Sequence, residues 1–236
     1  MNEEVKGHPN NKISRVAETV IKMFPVDLSR IRGRDPFHTL VAVILSQKTN
    51  TKNVQEAMER FRRRFKSIKD VSSASLESLQ DAIRPAGLWR MKAPRIKLIA
   101  QQLAERKSGL KRILSLPYPE AKRILSSMRG VGPKTADVFL MIVKNEPVLP
   151  IDTHIFRIMK RLGIAEKGEG YETLRRKLES AVKPEKRMFA HLALIEFGRR
   201  ICRARNPRCD ECPFSDICPS SLRKINSTSD RYSFHG

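Results

Sequence analysis

Four cysteines cluster near the end of the chain, and the sequence contains no others. Cys202, Cys209, Cys212 and Cys218 follow the spacing C-x6-C-x2-C-x5-C within one short loop. Structural zinc sites usually combine two C-x2-C pairs that lie far apart in the sequence. Four thiolates in one compact loop are typical of a [4Fe–4S] cluster. The spacing therefore favours an iron–sulfur cluster and leaves zinc as the alternative.

The first gap of this cysteine loop is strongly basic. Arg203, Arg205 and Arg208 lie in it, and the planar guanidinium group matches the geometry of a phosphate. On a loop held by a metal site, these arginines are predicted to bind the phosphates of a nucleic-acid backbone. The alternative is a structural staple whose loop happens to be basic.

A second chemical feature is a lysine beside a glycine-rich turn, in residues 130–136 (GVGPKTA). The pattern predicts a hairpin of two helices joined by this turn. The free backbone N–H groups at the start of the second helix can bind an anion. Gly130 and Gly132 allow a phosphate to approach the backbone closely. Lys134 falls on the first turn of the second helix, where a cation opposes the helix dipole. That position favours the neutral amine, the nucleophile of Schiff-base chemistry, and partial burial would act in the same direction. The alternatives are a lysine that binds phosphate and a plain helix connection.

The segment after the hairpin, residues 149–163 (LPIDTHIFRIMKRLG), predicts a short extended stretch and then a helix. Asp152 is a suitable N-cap for a helix that begins at Thr153. A capping carboxylate is held rigidly, so Asp152 is also a candidate for a second, chemical role.

The charge balance limits the class of partner. Lysine and arginine number 47 against 25 aspartates and glutamates, which gives a net charge of +22. So basic a chain is typical of proteins that bind nucleic acid or an anionic membrane, although a solvated basic surface without a partner is the alternative. The sequence has no apolar stretch of about 20 residues and no secretory signal. We therefore expect an intracellular protein that binds DNA or RNA.

Helical periodicity runs through nearly the whole chain and predicts an all-α fold of about ten helices. Residues 12–24 place apolar side chains on one face, and Asp35 and Pro36 are a cap and a first-turn proline for a buried central helix. Pro119, Pro133 and Pro184 are predicted to open further helices. Residues 84–94 are predicted to form a loop.

Residues 130–136, residues 151–157 (IDTHIFR) and the cysteine loop, in this order and at these separations, resemble the endonuclease III family of helix–hairpin–helix DNA glycosylases. The resemblance runs from about residue 12 to residue 219. It implies that Lys134 is the catalytic nucleophile, that Asp152 is the catalytic aspartate, and that the four cysteines ligate a [4Fe–4S] cluster.

The resemblance also implies an architecture of two helical lobes with a DNA-binding cleft between them. Residues 34–146 would form a six-helix barrel that includes the hairpin. Residues 1–33 and 147–221 would form the lobe that carries the cluster, and residues 222–236 would be a mobile tail.

Departures from the family pattern bear on DNA contact. Arg129 stands where the family has proline before the glycine turn, so it is a candidate phosphate contact. The family segment LSAQATD is LSQKTNT here (residues 45–51), so either Gln47 or Lys48 is the candidate for filling the gap left by a flipped base. Residues 87–93 (GLWRMKA) resemble the second wedge loop of the family. Leu88 is therefore the candidate intercalating residue, with a packed loop leucine as the alternative.

The function implied by the resemblance is base excision repair. A bifunctional enzyme would remove a damaged base, by expectation an oxidised pyrimidine, and cleave the abasic site by β-elimination through a lysine Schiff base. The alternatives are a uracil or thymine mismatch glycosylase of the same superfamily and a non-catalytic DNA-binding module. The expected partner is double-stranded DNA that contains a damaged base or an abasic site, bound by a monomer in the cytoplasm, at the nucleoid.

Overall fold

The computed structural model describes residues 9–30, 35–105 and 109–221. The predicted all-α fold is confirmed, because these residues form twelve α-helices and three 3-10 helices and include no β-strand. The α-helices are α1 (Pro9–Met23), α2 (Pro36–Leu45), α3 (Thr51–Arg64), α4 (Ile68–Ser73), α5 (Leu76–Ile83), α6 (Trp89–Glu105), α7 (Gly109–Ser115), α8 (Tyr118–Ser127), α9 (Pro133–Val143), α10 (Thr153–Arg161), α11 (Tyr171–Ala181) and α12 (Arg187–Arg200). The 3-10 helices are Leu28–Arg30, Arg84–Ala86 and Pro184–Lys186.

The chain divides into two compact units. One, the hairpin unit, comprises Leu28–Glu146, and the other, the cysteine unit, comprises Met1–Asp27 together with Pro147–Gly236. The boundary predicted from the sequence is at residue 34, and the predicted tail of residues 222–236 lies outside the described residues. No helix of the described residues is long and apolar enough to span a membrane.

The core of the hairpin unit is organised by α2, which is buried as predicted. Leu40, Ile44 and Leu45 have no exposed surface. The helix begins at Pro36 because Asp35 caps it, with the Asp35 Oδ1 accepting from the His38 backbone N–H at 2.8 Å. Apolar residues at helical spacing in α3 and α6 complete this core.

The core of the cysteine unit joins α1 to helices far along the chain. Ile13, Val16 and Val20 of α1 are buried, as their spacing predicted, and pack with the apolar faces of α10, α11 and α12. Lys12 adds polar links, since its Nζ donates to the carbonyl oxygens of Leu162 at 2.6 Å and Ile217 at 3.1 Å.

One prediction about the elements is wrong. Residues 84–94 are not a loop, because only Gly87 and Leu88 separate a 3-10 helix from α6, which continues through Pro94. A proline inside a helix removes one backbone bond, but here Ala93 and Ile96 on either side of it are buried in the core. Pro184 opens a helix as predicted, a 3-10 helix that leads directly into α12.

Candidate functional site

The predicted helical hairpin is formed by α8, a turn over residues 128–132, and α9. Within the turn, the Val131 backbone N–H donates to the Met128 carbonyl at 3.0 Å, and both side chains are buried. Gly130 has a φ of +101°, and a Cβ at this position would lie 2.6 Å from Cγ of Arg95. Glycine is therefore required at Gly130 by both backbone conformation and space.

Gly132 and Lys134 begin α9 and face solvent. Gly132 is the N-cap and has an extended backbone, and a Cβ there would meet nothing within 4 Å. Pro133 has no N–H, so the free N–H groups of the first turn are those of Lys134 and Thr135, and the open space at Gly132 leaves room for an anion to approach them. Lys134 is the second residue of α9 and is exposed, so the partial burial considered from the sequence does not occur. The neighbouring Thr135 and Ala136 are buried and fix the orientation of this first turn.

A buried ion pair holds the two arms of the hairpin together. Asp137 of α9 has no exposed surface, and its carboxylate accepts from the Tyr118 hydroxyl at 2.8 Å and from the Lys122 Nζ at 3.0 Å, both on α8. Leaving one charge of such a pair buried alone is costly. The pair therefore keeps the first turn of α9 in a fixed place relative to α8.

Gln47 and Lys48 differ in what the fold lets them do. The Gln47 amide donates to the Thr135 Oγ1 at 3.5 Å and accepts from the Arg95 Nη1 at 3.1 Å, so it is tied to α9 and α6. Lys48 is exposed and has a φ of +53°. Among non-glycine residues such a backbone costs of order 1–3 kcal/mol and occurs mainly where the surroundings enforce it.

Leu88 shares this unusual backbone, with a φ of +48°, and 46% of its surface is exposed. Its carbonyl accepts from the backbone N–H groups of Met91 and Lys92, so Leu88 stands at the start of α6. Arg129, in the hairpin turn, is also exposed, and its backbone N–H donates to the Gln102 Oε1 at 3.3 Å.

Asp152 caps α10 as predicted, with its Oδ1 accepting from the Ile155 backbone N–H at 2.8 Å. It is half-buried, and it lies in the cysteine unit, whereas Lys134 lies in the hairpin unit. Two residues on, burial lowers the pKa of His154, and the His154 Nδ1 lies 3.1 Å from Nη2 of Arg157. The neutral imidazole is thereby favoured, with Nδ1 as the acceptor.

The four cysteines surround one cavity of about 280 Å³. All four are free and half-buried, and burial raises the pKa of the Cys212 thiol to about 11. No three histidine, cysteine, aspartate or glutamate side chains within the described residues converge closely enough to hold a metal ion. A donor set of four thiols, spaced around a cavity rather than around a point, fits a multi-atom cluster better than a single zinc ion.

The three arginines of the cysteine loop have different surroundings. The Arg203 guanidinium donates to the Asn206 carbonyl at 3.0 Å, and the Arg208 Nη1 donates to the Glu211 Oε2 at 3.1 Å. Arg205 is exposed and has no hydrogen bond or ion pair within the part of the chain that the structure describes. Arg205 is therefore the arginine most available to a phosphate.

Arg161 is a site residue that the sequence analysis missed. Its guanidinium donates to the Cys202 Sγ at 3.4 Å and to the carbonyl oxygens of Arg203 at 2.6 Å and Ala204 at 3.0 Å. It thus lines the cysteine cavity and orders the basic gap of the loop. No signal in the sequence marks Arg161, because it lies in another helix, 41 residues before Cys202.

Two family models match the chain. Residues 41–184 match the HhH-GPD superfamily of base excision DNA repair proteins. Residues 202–218, which run from the first cysteine to the last, match the iron–sulfur binding domain of endonuclease III.

Curated proteins and solved structures agree with these matches. The chain is 32% identical to endonuclease III of Thermotoga maritima over 90% of this chain and 94% of that protein. It is also 32% identical to endonuclease III of Bacillus subtilis, over 86% of this chain and 89% of that protein. Its fold matches that of a trapped endonuclease III–DNA covalent intermediate with a TM-score of 0.80 and 28% identity, covering 92% of this chain and 98% of that one.

Proposed function

Because the chain belongs to the endonuclease III family of helix–hairpin–helix base excision repair proteins, we propose that Lys134 and Asp152 carry out the glycosylase and abasic-site lyase reactions of that family here. The observation that carries this proposal is the position of Lys134, an exposed amine on the first turn of α9, directly after the glycine turn. The first N–H groups of α9 offer a DNA phosphate a binding site beside that amine.

The proposed reaction begins with a flipped nucleotide, because the sugar carbon is shielded inside the base stack. The Lys134 Nζ lone pair attacks C1′, the bond from C1′ to the base breaks, and the base leaves with that electron pair and takes up a proton. Nζ then loses one proton, the bond from C1′ to the ring oxygen breaks as that oxygen takes up a proton, and a protonated imine forms between Nζ and C1′. The imine acidifies the C2′ proton, and its removal expels the phosphate on the 3′ side. Hydrolysis of the imine then returns the lysine.

Asp152 has two possible tasks in this scheme. Its carboxylate stabilises the positive charge that develops on the sugar, or it accepts the proton from the lysine amine. Its cap to Ile155 holds the carboxylate in one orientation, and a charge held in place stabilises a transition state without reorganisation.

The chain carries the family's [4Fe–4S] cluster, and we propose Cys202, Cys209, Cys212 and Cys218 as its ligands. Bound there, the cluster holds the loop at four points and supplies a one-electron couple. The exposed Arg205 would then be presented to the DNA backbone on a rigid loop.

The proposed substrate is double-stranded DNA that contains an oxidised pyrimidine or an abasic site. The proposed DNA contacts are Gln47, Lys48, Leu88, Arg129, Gly130, Gly132, Arg203, Arg205 and Arg208. We propose that a monomer acts on the chromosome inside the cell, since a net charge of +22 favours binding to the polyanion.

A panel of duplexes, each with one lesion, tests this function. Base release and strand cleavage are scored separately, and borohydride is added to trap an imine. Removal of oxidised pyrimidines with trapping is the expected result. Removal of only mismatched uracil or thymine without trapping would indicate a mismatch glycosylase, and binding without either reaction would indicate a DNA-binding module.

A further inference from the structure

Lys92 is a buried lysine that the proposed chemistry does not use. Only 3% of its surface is exposed, and its Nζ donates to the carbonyl oxygens of Leu45 at 2.8 Å and Ala86 at 3.0 Å. It has no ion pair with a carboxylate in the described residues. Burial, and the charge of Arg95 after it, lower the pKa of Lys92.

Burial of an amine costs free energy. A lysine at this position is therefore best explained by hydrogen bonds that an apolar side chain cannot make. Its neighbours Ala93 and Ile96 supply apolar packing to the same helix. A methionine at position 92 would fill the space with less loss of solvation. The two hydrogen bonds are therefore the property that distinguishes lysine at this position.

Both acceptors are the last residues of helical segments. Leu45 ends α2, and Ala86 ends the 3-10 helix of residues 84–86. The final carbonyls of a helix lack partners within it and carry partial negative charge, so they favour a cationic donor. One nitrogen thus joins the ends of two segments that are separated by about 40 residues of chain.

Each of these segment ends is followed, within three residues, by an exposed residue with a strained backbone. Lys48 follows Leu45 by three residues and Leu88 follows Ala86 by two, and both have a positive φ. Such turns relax to ordinary backbone conformations unless the residues that flank them are held in place. Arg95, one turn after Lys92 on α6, donates a hydrogen bond to the side chain of Gln47, the residue before Lys48.

We propose that Lys92 is a positioning residue for opening the DNA duplex, because it fixes the distance between the turn of Lys48 and the turn of Leu88. The inference rests on the proposed function. In it, Lys92 does not touch the DNA. It holds both turns at the spacing at which one side chain enters the space of the flipped nucleotide while the other separates the neighbouring bases.

The test compares two substrates that differ only in whether a partner base must be separated from the lesion. One is a duplex with 5-hydroxyuracil opposite guanine, and the other is the same duplex with an abasic residue opposite the lesion. In single-turnover base release, we expect Lys92→Met to be slowed about tenfold or more on the first duplex and less than twofold on the second, since small misplacements cost large factors in rate.

Lys144→Met is the control for loss of a hydrogen bond from a lysine to a carbonyl, although Lys144 also pairs with the Glu146 Oε1 at 3.0 Å. Lys144 also lies in the hairpin unit, and its Nζ also donates to a main-chain carbonyl, that of Leu116 at 2.6 Å. Its loss should lower the melting temperature without changing the ratio of the two rates. Lys92→Gln, which keeps N–H donors on a shorter side chain, serves as a second variant and should fall between wild type and Lys92→Met.

An equal loss of rate on both duplexes would overturn the inference, because it would show a general structural role. Failure of both Lys92 variants to fold would overturn it as well, since the effect would then not be confined to the two turns. If the wild-type protein releases the base from neither duplex, the proposed function fails instead, and this outcome is distinct from the other two.

Discussion

Lys134 and Lys52 occupy the same position in two helices of the hairpin unit. Each is the second residue of its helix, α9 or α3, and each is exposed. The helix dipole acts on both amines in the same way. A difference in reactivity between them must therefore come from the surroundings of Lys134, which include the glycine turn and the accessible N–H groups of α9.

Replacement of Lys134 by glutamine should separate binding from chemistry. We expect Lys134→Gln to bind damaged DNA with nearly unchanged affinity but to give no covalent product with borohydride, because an amide forms no imine. Strand cleavage should fall about a hundredfold or more. Lys52→Gln, the matched control, should be trapped like the wild type. Full lyase activity in Lys134→Gln would assign the nucleophile to another amine, such as Lys144 or the N-terminus.

Asp152 and Asp35 form another matched pair. Each caps a helix through one carboxylate oxygen, and each accepts the backbone N–H three residues on at 2.8 Å. Asparagine caps nearly as well as aspartate, whereas alanine loses about 0.5–2 kcal/mol of stability. The structural and the chemical contribution of the Asp152 carboxylate are therefore separable by substitution.

Asp152→Asn should fold like the wild type but release the base about a hundredfold more slowly, because the charge that stabilises the developing cation is lost. Cleavage of a preformed abasic site should suffer less, since no base has to leave, and affinity for damaged DNA should be unchanged or tighter. Single-turnover base release and melting temperature measure the two effects for Asp152→Asn and Asp152→Ala. Asp35→Asn controls for the cap. Wild-type activity in Asp152→Asn would leave Asp152 with the capping role alone.

Among the helices, those with a long apolar period or a clear terminal residue were predictable from the sequence. α2 begins after Asp35 and α9 begins at Pro133, as the pattern indicated. α1 and α2 bury the apolar residues that the pattern indicated. α4, α5 and α7 have six to eight residues, too few for a period to be distinguished from chance. The first turns of α6 were missed because Pro94 indicates a helix start, and only tertiary packing of Ala93 and Ile96 overrides that signal.

The candidate site was predictable where its residues are neighbours in sequence. The cysteine loop and the turn before Lys134 are local patterns, and their chemistry follows from residue types and spacing. Arg161, Lys92 and the tie between Gln47 and Thr135 depend on contacts between distant segments. Such contacts are set by how the helices pack, and a single sequence carries no local signal for them.

The cysteine loop predicts the colour and metal content of the protein. Purified protein should be yellow-brown and hold about four irons per chain. Cys212→Ser should lose iron, lower the melting temperature and weaken DNA binding, while Ser220→Ala, which alters the same cavity without removing a thiol, should retain the metal. Metal analysis and the visible absorption spectrum provide the measurement. A colourless protein with one zinc per chain would contradict the assignment.

For the whole molecule, the net charge of +22 predicts binding that depends steeply on salt. Arg205→Ala should weaken binding to damaged and undamaged duplexes about equally and reduce the slope of log K against log salt by roughly one unit, as loss of one phosphate contact requires. Arg176→Ala, at an exposed position of α11, removes the same charge and should leave the slope nearly unchanged. Equal effects of the two substitutions would mean that Arg205 contributes only to the overall field.

The cysteine unit is built from two stretches of chain that are far apart, and this has a consequence for the order of assembly during synthesis. Chains are made from the N-terminus, so the contiguous residues of the hairpin unit can fold while translation continues. α1 can pack in its core only after α12 has been synthesised, and Lys12 can form its hydrogen bond to the Ile217 carbonyl only after Ile217 has been synthesised. Closure of so long a loop is slow. Cys218 is the last of the four cysteines to be made, so the complete set of thiols exists only after the whole hairpin unit has been synthesised.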